Sequence, residues 1–193
     1  GGMLMKTIDA RGELCPKPVI LTKKALEEIE TGKVETIVDN EVAKNNLSRL
    51  ANSLGYEFVA TDVSEKEFRV VITKLGEAKV QEQEAPVVMI GSHSMGSDEE
   101  LGKILMKSLM YTISETKPYP KSILFYNTGV ELCCEGSESL DDLQKLADAG
   151  VEIIACGTCL DFLKIKDKLK VGIIGNMYTI YETAISGKTL TIK

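Results

Sequence analysis

A charged, glycine-containing segment, Lys74-Leu75-Gly76-Glu77-Ala78-Lys79-Val80-Gln81-Glu82-Gln83-Glu84-Ala85-Pro86, divides this chain into two stretches of different hydrophobic pattern. It holds no sustained apolar period and ends in proline, which is the character of a linker. Residues 75–86 are assigned to that linker, and two domains are expected, over 5–74 and 87–193. A chain of 193 residues is long enough for two small domains.

In the first stretch, Met5 to Ala10 alternates apolar and polar residues, as a half-buried strand does. Over residues 17–30, Val19, Ile20, Leu21, Ala25, Leu26 and Ile29 recur at helical spacing. A strand at 33–38, a helix at 41–54 and strands at 56–62 and 67–74 follow. Gly32 and Gly55 are expected to stop the two helices, and Asn40 to cap the second. Ser64-Glu65-Lys66 supplies the turn of a closing hairpin. The order β-α-β-α-β-β implies a two-layer sandwich, with both helices on one face of a four-stranded sheet.

The second stretch alternates regularly between strand and helix. Val87-Val88-Met89-Ile90 is a continuous apolar run, the mark of a strand buried on both faces. Ser97 to Glu100 is expected to form a capping box into a helix. Strands follow at 122–126, 151–155 and 171–174, with a helix that Ser139-Leu140-Asp141-Asp142 is expected to cap and that runs to Gly150, and another over 177–186. Thr189 to Ile192 suits a short edge strand. This alternation implies an α/β domain with a parallel sheet and helices on both faces, whose ligands bind beyond the carboxyl ends of the strands.

Composition narrows the function. No apolar run approaches the roughly 20 residues of a membrane span, and no cationic, apolar signal segment opens the chain, so the cytoplasm is the expected compartment. Net charge is −6. The one basic cluster, Lys164, Lys166, Lys168 and Lys170, is interleaved with Ile165, Asp167 and Leu169 and reads as a solvated face, so no direct nucleic-acid contact is expected.

Cysteine usage carries the chemistry. Cys15 stands in Leu14-Cys15-Pro16-Lys17-Pro18, between the first strand and the first helix. Proline is tolerated in a first helical turn, so the thiol falls just outside a helix start. Unpaired N–H groups and the positive end of the helix dipole favour an anion there. Arg11 and Lys17 are expected to add to that field, and Pro16 and Pro18 to stiffen the loop.

In the second stretch, Cys156-Gly157-Thr158-Cys159 lies at a strand end. Cys133-Cys134 follows another strand, and His93 a third. All three loops belong to the carboxyl edge of the sheet, so they can converge. A structural zinc site takes two spaced ligand pairs and only one C-x-x-C is present, so neither metal nor other cofactor is expected. A dithiol–disulfide switch at Cys156 and Cys159 is an open alternative. Cys133 and Cys134 can be small apolar core residues.

The stretch Asp9-Ala10-Arg11-Gly12-Glu13-Leu14-Cys15-Pro16-Lys17-Pro18 fits the D-x-R-G-x-x-C-P-x-P signature of the TusA/SirA-like sulfur carriers, and residues 5–74 resemble that family. The resemblance implies that Cys15 carries a persulfide. The second half resembles the DsrE-like family through Ser94-Met95-Gly96-Ser97-Asp98-Glu99-Glu100-Leu101-Gly102 and Phe125-Tyr126-Asn127-Thr128-Gly129-Val130. That likeness makes Cys156 the counterpart of a sulfur-accepting position. Both halves in this order resemble YedF-type proteins, which are associated by name with selenium metabolism.

The expected function is therefore a persulfide carrier and sulfurtransferase-like relay of sulfur or selenium, from Cys15 to Cys156, with Cys159 as alternative acceptor or resolving thiol and His93 in support. Thiolate attack on a disulfide-like sulfur suffices for each step. About 13 flexible linker residues would span roughly 20 Å. The resemblance implies a persulfide donor such as a cysteine desulfurase, and a downstream acceptor protein. A homo-oligomer formed through residues 87–193 is expected, with Met106, Met110, Tyr111 and Tyr178 as candidate interface residues. The alternatives are a dithiol redox protein centred on Cys156 and Cys159, and a regulatory protein acting through partner binding.

Overall fold

The computed structural model describes residues 4–76 and 84–193. The chain divides between Gln83 and Glu84 into two compact units. Of the segment expected as a linker, residues 77–83 lie outside the described residues.

The first unit runs β1 (Met5–Asp9), α1 (Lys17–Glu27), β2 (Gly32–Val38), α2 (Glu41–Leu54), β3 (Glu57–Ser64) and β4 (Glu67–Lys74). Its sheet has the order β1-β2-β4-β3, with β1 parallel to β2 and the other pairs antiparallel. Period-two alternation decides which face is covered. Val34, Thr36 and Val38 of β2 and Phe68, Val70 and Ile72 of β4 are buried, whereas the residues between them on β4 are half-buried. The buried set packs with Ala25 and Leu26 of α1 and with Leu47, Leu50 and Ala51 of α2. Each fully buried leucine contributes about 1.5–3 kcal/mol, so the apolar stripes of the two helices fix them to this face.

Asn40 caps α2 by accepting the Ala43 N–H at 2.8 Å, and Gly55 closes it in the left-handed conformation that a side chain resists. The first helix differs from expectation. It ends at Glu27, and Gly32 opens β2 instead of stopping α1. Pairing with β4 captures this residue, Gly32 standing opposite Lys74, and the next residue, Lys33, donates its N–H to Leu4 O at 2.9 Å, so the strand begins where the ladders do. A buried hydroxyl pair ties α1 to β2. Thr22 and Thr36 are fully buried with their oxygens 2.6 Å apart, and Thr22 also donates to Pro18 O at 2.8 Å.

The second unit runs β5 (Val87–Ile90), α3 (Glu99–Glu115), β6 (Ser122–Phe125), α4 (Leu140–Asp148), β7 (Glu152–Cys156), α5 (Gly157–Phe162), β8 (Ile173–Gly175), α6 (Met177–Ile185) and β9 (Thr189–Ile192). A 3-10 turn over Asn127–Cys133 follows β6. Strand order is β8-β7-β6-β5-β9 and every pair is parallel. All four residues of β6 are buried, so both faces of the sheet are covered.

Three local expectations shift. Asp98, not Ser97, caps α3: its backbone is extended, as a cap requires, and its side chain accepts the Leu101 N–H at 2.8 Å. Ser139 precedes α4 but makes no side-chain cap bond, because its ψ is near zero. The strand expected at 171–174 lies at 173–175, where it pairs with Ile154 to Cys156. Met106 and Met110, candidate interface residues, belong to the core at 1 % and 0 % exposure, and Tyr111 is half-buried, while Tyr178 is exposed. Among the described residues, no helix is long and apolar enough to cross a membrane.

Candidate functional site

Cys15 lies on the surface, one residue before the N-cap of α1. The loop that presents it is shaped by two carboxylates. Asp9 accepts Arg11 Nε at 2.9 Å, Nη2 at 2.8 Å and the Arg11 N–H at 3.2 Å. The Arg11 side chain holds the Asp9 carboxyl at about 2, well below its usual range. Asp39, at the end of β2, accepts the Gly12 N–H at 2.8 Å, and Gly12 has the positive φ of +80° that this turn needs. The Asn40 side chain, and then that N–H, keep the Asp39 carboxyl low. The D-x-R-G part of the motif is thus a loop-forming device.

This places Arg11 and Lys17 differently from the sequence expectation. Arg11 is committed to Asp9 and to Glu67 at 3.3 Å, and Lys17 to Glu13 at 3.3 Å. Their charges are balanced by carboxylates, and Arg11 shapes the loop that carries Cys15. The prolines act on the backbone donors instead. Pro16 and Pro18 supply no N–H, Lys17 donates to Leu14 O at 2.9 Å, and the Val19 N–H has no acceptor among the described residues. Asn46, on α2, points its amide at Cys15 Sγ from 3.8 Å. Sequence reasoning missed Asn46, although a signal exists. It lies three residues after Ala43 and four before the buried Leu50, a polar residue on the apolar stripe of α2.

In the second unit the expected convergence of loops is partly realised. Asn127, after β6, donates its N–H to Cys159 Sγ at 3.1 Å. The next residue, Thr128, accepts the His93 N–H at 3.2 Å. Cys156 Sγ accepts the Cys159 N–H at 3.4 Å. The thiols therefore sit between the carboxyl ends of β6 and β7. The place beside β5 where the strand order reverses is taken up by main-chain bonds, Gly91 N–H to Ile192 O and Gly96 N–H to Lys193 O.

Cys156, the expected acceptor, is only 3 % exposed; Cys159 is the more accessible of the pair. Burial, and then the hydrogen bond to Cys156, push the Cys159 thiol up, while the Asn127 N–H pulls it down. Cys133 is sealed in the core, and burial pushes its thiol far up. Cys134 is also buried and raised, and its thiol donates to Val130 O at 3.3 Å. Both are protonated packing residues, and among the described residues no hydrogen bond joins either to Cys156 or Cys159.

His93 is held by carboxylates. Its Nε2 lies 2.6 Å from Glu99 Oε1, which lowers the Glu99 carboxyl. Its Nδ1 lies 3.0 Å from Glu131 Oε2 but is buried without a hydrogen-bond partner among the described residues. His93 borders a cleft of about 620 Å³ that Cys134 and Lys168 also line. It makes no hydrogen bond to either thiol of the 156–159 turn among the described residues. Nor is any group of three or more His, Cys, Asp or Glu disposed there to hold a metal ion.

Comparison with known proteins matches residues 6–74 to the family model described as "Sulfurtransferase TusA". A protein of Methanocaldococcus jannaschii described as "Putative sulfur carrier protein" is 44 % identical over 71 residues, which are 36 % of this chain and 95 % of that protein. A protein of Archaeoglobus fulgidus with the same description is 37 % identical over 71 residues, 36 % of this chain and 81 % of its own. Among solved structures, a SirA-like protein from Desulfitobacterium hafniense is 38 % identical, over 38 % of this chain and 100 % of that chain, with a TM-score of 0.35.

Proposed function

The chain belongs, through residues 6–74, to the TusA family, and from that footing we propose that it is a cytoplasmic persulfide carrier in which Cys15 bears the sulfur and passes it to a thiol of the second unit. One observation carries this reading most. Cys15 is exposed at the start of an 11-residue helix, and it is the only cysteine in the first half of the chain. A bound sulfane sulfur there is open to partners and has no second thiol within its own unit to expel it.

The transfer is one thiol–disulfide-type exchange. A thiolate of the second unit attacks the outer sulfur of Cys15–S–SH. The new S–S bond forms as the old one breaks, and Cys15 leaves as a thiolate, so no external oxidant or reductant enters. Cys159 suits the first attack better than Cys156, because its sulfur is reachable while Cys156 is buried. We place residues 87–193 as a DsrE-like acceptor domain, in the domain order of YedF-type proteins. The parallel sheet and the thiols at its carboxyl edge support that placement. The same exchange serves selenium.

The donor is a persulfide-bearing protein such as a cysteine desulfurase, and a further protein accepts the product. The exposed Leu14, next to the thiol, offers such partners an apolar contact. Association of copies through residues 87–193 would use exposed apolar residues such as Ile173, Met177, Tyr178 and Tyr181. The test is loading by a protein donor, comparing the parent chain with Cys15→Ser. The proposal expects the variant to take up no sulfur on either unit; undiminished labelling of Cys159 in the variant would refute the relay.

A further inference from the structure

Cys15 and Cys159 differ in one respect that governs the lifetime of a persulfide. No second cysteine shares the first half of the chain with Cys15. Cys159 has one three residues away, on the same turn, and the sulfur of that neighbour is already against the Cys159 main chain at 3.4 Å. Residues three apart on a helical turn are side-chain neighbours, and a disulfide spans Cα separations of about 4.4–6.8 Å. The neighbour, Cys156, is buried and so is shielded from external electrophiles, whereas Cys159 is partly exposed. The Asn127 N–H, 3.1 Å from Cys159 Sγ, holds the outer sulfur in place at the mouth of the turn. An accessible sulfur that receives and a sheltered sulfur that resolves is an arrangement for release rather than for storage.

We propose that the second unit is a reductive release site: sulfane sulfur accepted on Cys159 is expelled as hydrosulfide by Cys156. This rests on the proposed relay only for the source of the sulfur. Starting from Cys159–S–SH, the Cys156 thiolate, its proton having passed to solvent, attacks Cys159 Sγ. The Cys156–Cys159 S–S bond forms. The bond from Cys159 Sγ to the outer sulfur breaks, and its electron pair leaves on that sulfur as HS⁻. The outer sulfur is reduced from the zero-valent state to sulfide, and the two thiols are oxidised together to one disulfide. A small external dithiol then restores both thiols by exchange. With selenium as cargo the product is hydroselenide, which makes the unit a source of the free reduced chalcogen.

The test uses the full chain carrying Cys15→Ser, so that the relay plays no part in the outcome. The reduced protein is treated anaerobically with glutathione persulfide, excess reagent is removed at once, and sulfide, free thiols and intact mass are followed. The inference expects about one equivalent of sulfide per chain without added reductant, the loss of two thiols and a mass about 2 Da below the reduced protein. Adding Cys156→Ser should leave an adduct of about 32 Da on the Cys159 peptide and slow sulfide release roughly ten-fold or more. Cys156→Ala, with a circular dichroism spectrum matching the parent, guards against misfolding of the serine variant. Equal release from the Cys156 variants, or a stable adduct on Cys159 with both Cys156 and Cys159 otherwise unchanged in the parent, would overturn the inference.

Discussion

The backbone N–H of Asn127 meets the sulfur of Cys159 at 3.1 Å, joining the loop after β6 to the turn that starts α5. Asn127 reaches it from a left-handed backbone, φ +50°, with its own side chain accepting the Thr128 N–H at 2.8 Å. Asparagine tolerates that conformation, and a β-branched residue resists it.

Replacing Asn127 with valine should therefore cost about 1–2 kcal/mol in that loop and turn the N–H from the sulfur. The N–H lowers the Cys159 thiol, so its loss should make Cys159 alkylation slower at neutral pH and shift the rate profile to higher pH. Asn127→Gly keeps the backbone and should leave the profile near that of the parent. Iodoacetamide kinetics followed by peptide mapping distinguish the two.

The Asp9–Arg11 pair sets a pH dependence of defined sign. The Asp9 carboxyl is depressed from its ordinary 3.8 to about 2. Its stabilising effect is thus complete above about 4 and is lost as pH falls toward 2. The effect is small, because the pair is exposed to solvent. Urea midpoints of the parent should decline over that window more steeply than those of Asp9→Asn.

How much of this could be read from residues alone depends on how local each signal is. α2 was legible at both ends, because Asn40 and Gly55 act within their own turn. The thiol position of Cys15 was legible because Pro16 and Pro18 limit what can follow it. The end of α1 was not, since Gly32 answers to Lys74 across the sheet. Arg11 was misjudged for a related reason: charge alone suggested a field, while the i, i+2 spacing to Asp9 makes a bridge. The relative burial of Cys156 and Cys159 depends on packing between β6, β7 and the turn after β6, and no pattern within Cys-Gly-Thr-Cys encodes it.

Thr22 and Thr36 give the first unit a buried polar contact whose energetics are checkable. Thr22→Val leaves the Thr36 hydroxyl without its 2.6 Å partner in a fully buried site, which should cost about 1–3 kcal/mol. The double valine variant removes both groups and should recover most of that loss. Chemical unfolding of the two variants reads the difference.

Leu14, 83 % exposed beside the thiol, has little role in stability. Leu14→Ser should change unfolding by less than about 0.5 kcal/mol. Loading of Cys15 by a protein donor should slow, while loading by glutathione persulfide stays unchanged.

The most direct measurement follows one charge of isotopically labelled sulfur from a protein persulfide donor through the parent chain, by rapid quench and peptide mapping. The account predicts label first on the peptide holding Cys15, then on the peptide holding Cys156 and Cys159 as the first declines. Label reaching the second peptide while Cys15 stays unmodified at every time point would contradict it.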